Sequence, residues 1–230
     1  MRQLLFVLVS LAALLTGKAT VAEVVSISGA TTLLDPAPAS VATDVLESDT
    51  EIFLFVERQN SPLSSNLAAV LASPGLSFSG TALPSTAIIS AGTAVDSYLF
   101  HADKVGSAGA ITVSGTASFD SDILAVIVRT GTLAASDPVI GSPTTAYSTA
   151  TNRGLENVDD VVTISSDLRS IEVQFFHGQV EDEIRVITVA SSNTDVPTGR
   201  WIALAIIALL VATQWWWVRG FSPVSTRGAP

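Results

Sequence analysis

Apolar and polar positions alternate with period two through much of the segment from residue 23 to residue 190. Val25 and Ile27 alternate with Ser26 and Ser28, and Ile111 and Val113 with Thr112 and Ser114. Ile171, Val173 and Phe175 do so with Ser170, Glu172 and Gln174. Side chains of a strand point alternately to its two faces, so these stretches predict half-buried strands with one polar face. Residues 52–56 and 123–128 are apolar throughout, which predicts central strands covered on both sides. Residues 161–164 and 184–189 are rich in β-branched side chains and complete the set. Breakers recur at Pro36 and Pro38, Ser73-Pro74-Gly75, residues 106–109, Gly131, Asp137-Pro138, Gly141-Ser142-Pro143 and His177-Gly178. Short strands so punctuated predict a mainly β chain, built as a single antiparallel, jelly-roll-like β-sandwich. After Ser61-Pro62, the apolar residues Leu63, Leu67, Val70 and Leu71 suit a helix and a strand equally.

The two ends follow other patterns. Met1-Arg2-Gln3 precedes residues 4–15, where Ser10 is the one polar side chain, and a small-x-Ala site ends at Ala22. A basic start, an apolar stretch of about a dozen residues and a small-residue cleavage site predict a secretory signal peptide over residues 1–22. Residues 201–218 are almost entirely apolar and lie between Arg200 and Arg219. At about 1.5 Å per residue, such a helix rises about 27 Å and suits one membrane span, expected over residues 200–219. Trp215, Trp216 and Trp217 would anchor it where it leaves the lipid, with Arg219 reaching the head groups. Residues 191–199 read as a linker and 220–230 as a cytoplasmic tail, with the body outside the inner membrane.

Composition sharpens this division. The chain of 230 residues carries 21 acidic and 11 basic side chains, a net charge of −10. All 21 acidic residues fall between residues 23 and 199 against six basic ones, so the body carries −15. That charge argues against nucleic acid as a partner. The absence of cysteine excludes a disulfide scaffold, a thiol nucleophile, an iron–sulfur cluster and cysteine-bearing zinc sites. All four tryptophans belong to residues 201–217, which leaves none in the body as a platform for sugars. Tyr147 is the one ring in the body whose setting predicts exposure.

The remaining chemistry is sparse. His101 shares a strand face with Leu99 and Asp103, and His177 ends a strand-like stretch. The two are far apart and lack metal-spaced partners, so each reads as a satisfied strand-end or surface histidine. No nucleophile elbow, zincin helix or phosphate loop occurs, and no catalytic residues are assigned. Asp120-Ser121-Asp122, Asp159-Asp160 and Glu181-Asp182-Glu183 each precede a predicted strand. Solvated loop acids are the plain reading, and Asp120, Asp122, Asp159 and Asp160 are the candidates for a bound calcium ion. Paired carboxylates also leave open a secreted carbohydrate-active hydrolase or a calcium-dependent carbohydrate-binding module.

Val196-Pro197-Thr198, followed by Trp201, the apolar segment and Arg219, resembles bacterial C-terminal sorting signals of the PEP-CTERM type, specifically the IPTL-CTERM variant. Gly199 stands where that variant carries leucine. The resemblance implies recognition by an exosortase-type membrane transpeptidase and transfer of the body to the cell surface. Residues 95–103, 119–128, 153–156 and 182–188 resemble β-sandwich ectodomains often found with such signals. Together these imply a non-enzymatic envelope protein, a matrix component or adhesive module with an extracellular glycan or matrix as partner.

Overall fold

The computed structural model describes residues 23–106, 109–178 and 180–190. The expected signal peptide, linker, membrane span and tail lie outside the described residues. So do Val196, Pro197, Thr198, Trp201, Trp215, Trp216, Trp217 and Arg219. Among the described residues, no helix is long and apolar enough to cross a membrane.

Fourteen strands and one helix are described: β1 Val24–Gly29, β2 Thr31–Leu34, β3 Ser40–Val41, β4 Ile52–Pro62, β5 Leu67–Leu71, β6 Ser77–Ser79, β7 Ala87–Ile89, β8 Ala94–Ala102, β9 Ile111–Phe119, β10 Ile123–Ile127, α1 Thr130–Ile140, β11 Ala146–Tyr147, β12 Val161–Ile164, β13 Ser170–His177 and β14 Asp182–Val189. The chain is mainly β. A five-stranded sheet runs β1-β9-β13-β12-β6, and a seven-stranded sheet runs β2-β4-β8-β14-β10-β5-β7. Their pairs are antiparallel except β2 with β4, and the short pair β11 with β3 is also parallel. The expectation of purely antiparallel pairing fails at those two places. At the first, the chain leaves β1 and enters the other sheet through Gly29, whose φ of +67° suits only glycine without strain. A Cβ at that position would also stand 2.7 Å from the Ser114 carbonyl oxygen.

Two of the three alternating strands, β9 and β13, behave as period two dictates, whereas the expectation of a half-buried β1 fails: at the edge of the five-stranded sheet its Val25 and Ile27 are exposed. On β9, Val113, Ala117 and Phe119 are buried while Thr112 and Ser114 face solvent. Their inward side chains meet Ile52, Leu54, Tyr98, Phe100, Val126, Ile184 and Val186 of the seven-stranded sheet in one core. The rings of Tyr98 and Phe119 lie 4.7 Å apart, tilted by 47°, a spacing at which aromatic pairs attract.

The continuous apolar runs occupy β4 and β10 of the seven-stranded sheet, which is covered on both faces. Its outer face, with Phe55, Leu99, Ala125, Ile127 and Ile187, packs against Val41, Leu133 and Ile140. Those three come from β3 and α1, so a third layer lies over this sheet. Residues 62–72 resolve as the end of β4 followed by β5, with Leu63 and Leu67 in this outer core.

The breakers at Gly131 and Asp137-Pro138 do not mark loops, because they lie inside α1. Pro138 is the ninth of its eleven residues and removes one N–H donor, a substantial cost in a helix interior. Burial of Leu133, Ser136 and Ile140 along one face offsets it. Gly141 N–H then closes the last turn on the Asp137 carbonyl at 2.9 Å.

Candidate functional site

Two polar assemblies stand out, one sealed and one open. The sealed one lies between the outer face of the seven-stranded sheet and the third layer. Arg185 of β14 is fully buried and holds Glu57 of β4 through Nε–Oε2 at 2.6 Å and a second bond to Oε1 at 2.7 Å. It also reaches Asp137 of α1 at 3.0 Å, the Leu133 carbonyl at 3.3 Å and the Ser136 hydroxyl. Asp137 in turn binds Arg153 at 2.7 Å, and Arg153 binds Glu183 of β14 at 2.6 Å. The chain ends at His101, whose Nδ1 lies 3.0 Å from Glu183 and whose Nε2 lies 3.2 Å from the Leu46 carbonyl. Both ring nitrogens face acceptors, which are both satisfied only when both carry hydrogen.

Burial alone would weaken the charge on Arg185, but Glu57 and then Asp137 hold it more firmly protonated than an ordinary arginine. For Arg153 burial likewise opposes the charge, and its bond to Asp137 and the charge of Glu183 prevail. The arrangement fastens α1 and the loop carrying Arg153 to the sheet. Every functional group in it is used by another, which suits structure and leaves no reactive group free.

Tyr147 is not the exposed ring that its loop setting predicts. Its hydroxyl donates to Glu57 at 2.5 Å and accepts from the Ser142 N–H at 2.6 Å. Its face lies 5.4 Å from the Arg185 guanidinium and 5.7 Å from that of Arg153, within reach of cation–π attraction. Burial, then the Glu57 charge, pushes the Tyr147 phenol well above its ordinary value, and burial, then Asp96, does the same to Tyr98. The folded state therefore holds both protons more tightly than the unfolded chain, where tyrosine titrates near about pH 10. Stability from this source is complete below that pH and is lost as pH rises above it. Thermal midpoints between about pH 9 and 11 should fall, and Tyr147→Phe should remove part of the slope.

His101 is fully buried near the end of β8, so it is a strand-end histidine and not a surface one. His177 is the last residue of β13. The calcium candidates do not converge. Asp122 pairs with Arg169 at 3.1 Å on the surface, and Asp120 accepts the Glu23 N–H at 3.1 Å. Asp159 is exposed, and its backbone carbonyl accepts from Gln174 at 2.8 Å. Asp160 is buried instead of solvated and accepts three backbone N–H groups, from Glu156 at 3.1 Å, Asn157 at 2.7 Å and Phe176 at 2.8 Å. Among the described residues, no group of three or more histidine, aspartate or glutamate side chains is placed to hold a metal ion. No family model matches the chain, and neither a curated protein nor a solved structure does.

The open assembly is a cleft of about 140 Å³ at the end of β13, lined by Asn152, Glu156, Asn157, Phe176, Gly178, Val180 and Asp182. Here the expectation of solvated acids in Glu181-Asp182-Glu183 is reversed, since all three are buried. Strand alternation sends Glu183 to the sealed network, whereas Asp182 opens β14 at the cleft. Burial, then Asp160, Glu156, Glu181 and Asp103, pushes the Asp182 carboxyl well above the usual range. Glu156 is also raised, by burial, against the Thr130 hydroxyl that stabilises its charge. Such a cleft can hold a cation or a proton. Sequence reasoning placed the acidic cluster and missed the cleft, because nothing local shows that residues 152–157 fold back over the start of β14.

Proposed function

We propose that the chain is a non-enzymatic exported envelope protein, whose jelly-roll-like ectodomain is displayed outside the inner membrane through its C-terminal segment. It serves as a surface or matrix component with an extracellular glycan or matrix as its partner. The observation that carries this reading is the contrast in sequence between an acidic β-rich body and the two apolar stretches that flank it. The described residues between 23 and 190 belong to one compact unit, and the sequences on either side are the leader-like stretch and the apolar, tryptophan-bearing stretch. An exosortase-type transpeptidase would act on Val196, Pro197, Thr198 and Trp201, and Arg219 with Trp215, Trp216 and Trp217 would hold the precursor in the membrane.

Two further features support it. The body needs no disulfide, because its core and the buried arginine–carboxylate network hold it together. Its strong negative charge favours solubility in an extracellular medium. The test is fractionation of cells producing the full chain or a variant lacking residues 196–219. The full chain should sit in the envelope or at the surface, open to protease added outside. The truncated chain should appear soluble in the exported fraction. A full-length product that stays in the cytoplasm would overturn the proposal.

A further inference from the structure

The cleft at the end of β13 has oxygen donors and negative charge, and among the described residues that line it none is positively charged. Asp182 is 3% exposed, and its Oδ2 is buried without a hydrogen-bond partner although the residue lines the cleft. A carboxylate in that position is expensive unless a positive charge or a proton joins it. Glu156 stands on the same cleft, with one oxygen taken by the Thr130 hydroxyl at 3.3 Å. Behind them lies Glu181, fully buried, whose Oε1 also lacks a partner while Oε2 accepts from Thr43 at 2.7 Å.

The walls are fixed in advance. The three backbone groups that Asp160 holds belong to Glu156, Asn157 and Phe176, which are all cleft residues. Asn157 also donates its side-chain amide to the Phe176 carbonyl at 3.2 Å, a bond that does not use its side-chain oxygen. A rigid loop thus presents its residues to the cleft before any ligand arrives, which lowers the ordering cost of binding.

We propose that this cleft is a cation site that takes a hard divalent ion of the calcium class, with Asp182 and Glu156 as the carboxylate ligands. Asn152 and Asn157 supply neutral oxygens, and water completes the shell. The ligand set contains oxygen alone, without imidazole or thiolate, which selects hard cations over transition metals. Calcium accepts six to eight oxygens in irregular geometry, whereas magnesium demands a near-ideal octahedron. Amide oxygens beside the two carboxylates suit calcium, whereas magnesium gives up its waters reluctantly. The site is separate from the sealed network, and it stands independently of the export reading.

The experiment is thermal unfolding of the full chain in detergent after dialysis against chelator. Calcium chloride, magnesium chloride and sodium chloride are added at matched ionic strength, up to about 10 mM calcium. Calcium should raise the midpoint by about 5–10 °C at a hundredfold excess over its Kd, with little from the other two salts. Asp182→Asn should fold, by circular dichroism, and lose that increment, and Glu156→Gln should reduce it. If Asp182→Asn does not fold, the Glu156→Gln series decides. An unshifted midpoint in the unmodified protein overturns the proposal. So does an undiminished calcium shift in either variant. A calcium-insensitive protein that Asp182→Asn makes more stable would identify a buried neutral acid, and it overturns the proposal too.

Discussion

Arg185→Ala should destabilise the folded domain by about 3–5 kcal/mol, read as a lower urea midpoint with an unchanged denaturant slope. Arg185 is wholly enclosed and carries both oxygens of Glu57 as well as Asp137. Removing it takes the guanidinium from both oxygens of the buried Glu57, which keeps the Tyr147 hydroxyl, and a buried charge without its counter-charge costs more than the pair contributes. Arg185→Lys should recover little, because one ammonium cannot replace a planar fork that bridges two carboxylates and two further acceptors on α1. The contrasting case is Arg169, whose pair with Asp122 is half exposed on both sides. Arg169→Ala should leave the unfolding midpoint unchanged within error, since exposed pairs contribute little. A small effect at Arg185 would mean that water or another cation reaches Glu57, and the sealed network would not hold the third layer.

Phe175→Ala should cost about 3–5 kcal/mol by equilibrium unfolding, through lost burial and the cavity left behind. Phe175 is fully buried on the inner face of β13, in the core that the two sheets share. Val25→Ser on β1 is the matched control. Val25 is an apolar residue of the same sheet but is 64% exposed, so the change should stay within about 0.5 kcal/mol. The pair tests whether the two sheets close over one core or merely lie side by side.

These two predictions mark where the sequence was legible and where it was not. Period-two alternation located β9 and β13 because one face meets the core and the other meets water. Continuous apolar runs located β4 and β10 because the seven-stranded sheet is covered twice. The helix was not legible, since Gly131 and Pro138 are read locally as breakers while its stability comes from Leu133 and Ile140 packing on a distant sheet. The sealed network was hidden for a related reason. Glu183 and Arg185 stand two apart on β14, and that spacing reads as a solvent face. A charged face beneath a layer that carries complementary charges has the same local pattern. Tyr147 and Asp160 were misread as exposed for the same cause, because their partners Glu57 and the backbone of residues 156, 157 and 176 are brought by tertiary folding. A weak signal was present: in a body with only six basic residues, Arg185 stands among the apolar residues Ile184, Val186 and Ile187.

The central claim is export and display of the body with its two ends treated as signals. Mass spectrometry of both termini of the surface-associated protein tests it most directly. A mature chain that begins at Glu23 and ends before Trp201 is the expected result. Surface material that retains Met1, or that carries the intact Trp215, Trp216 and Trp217 segment, would contradict it.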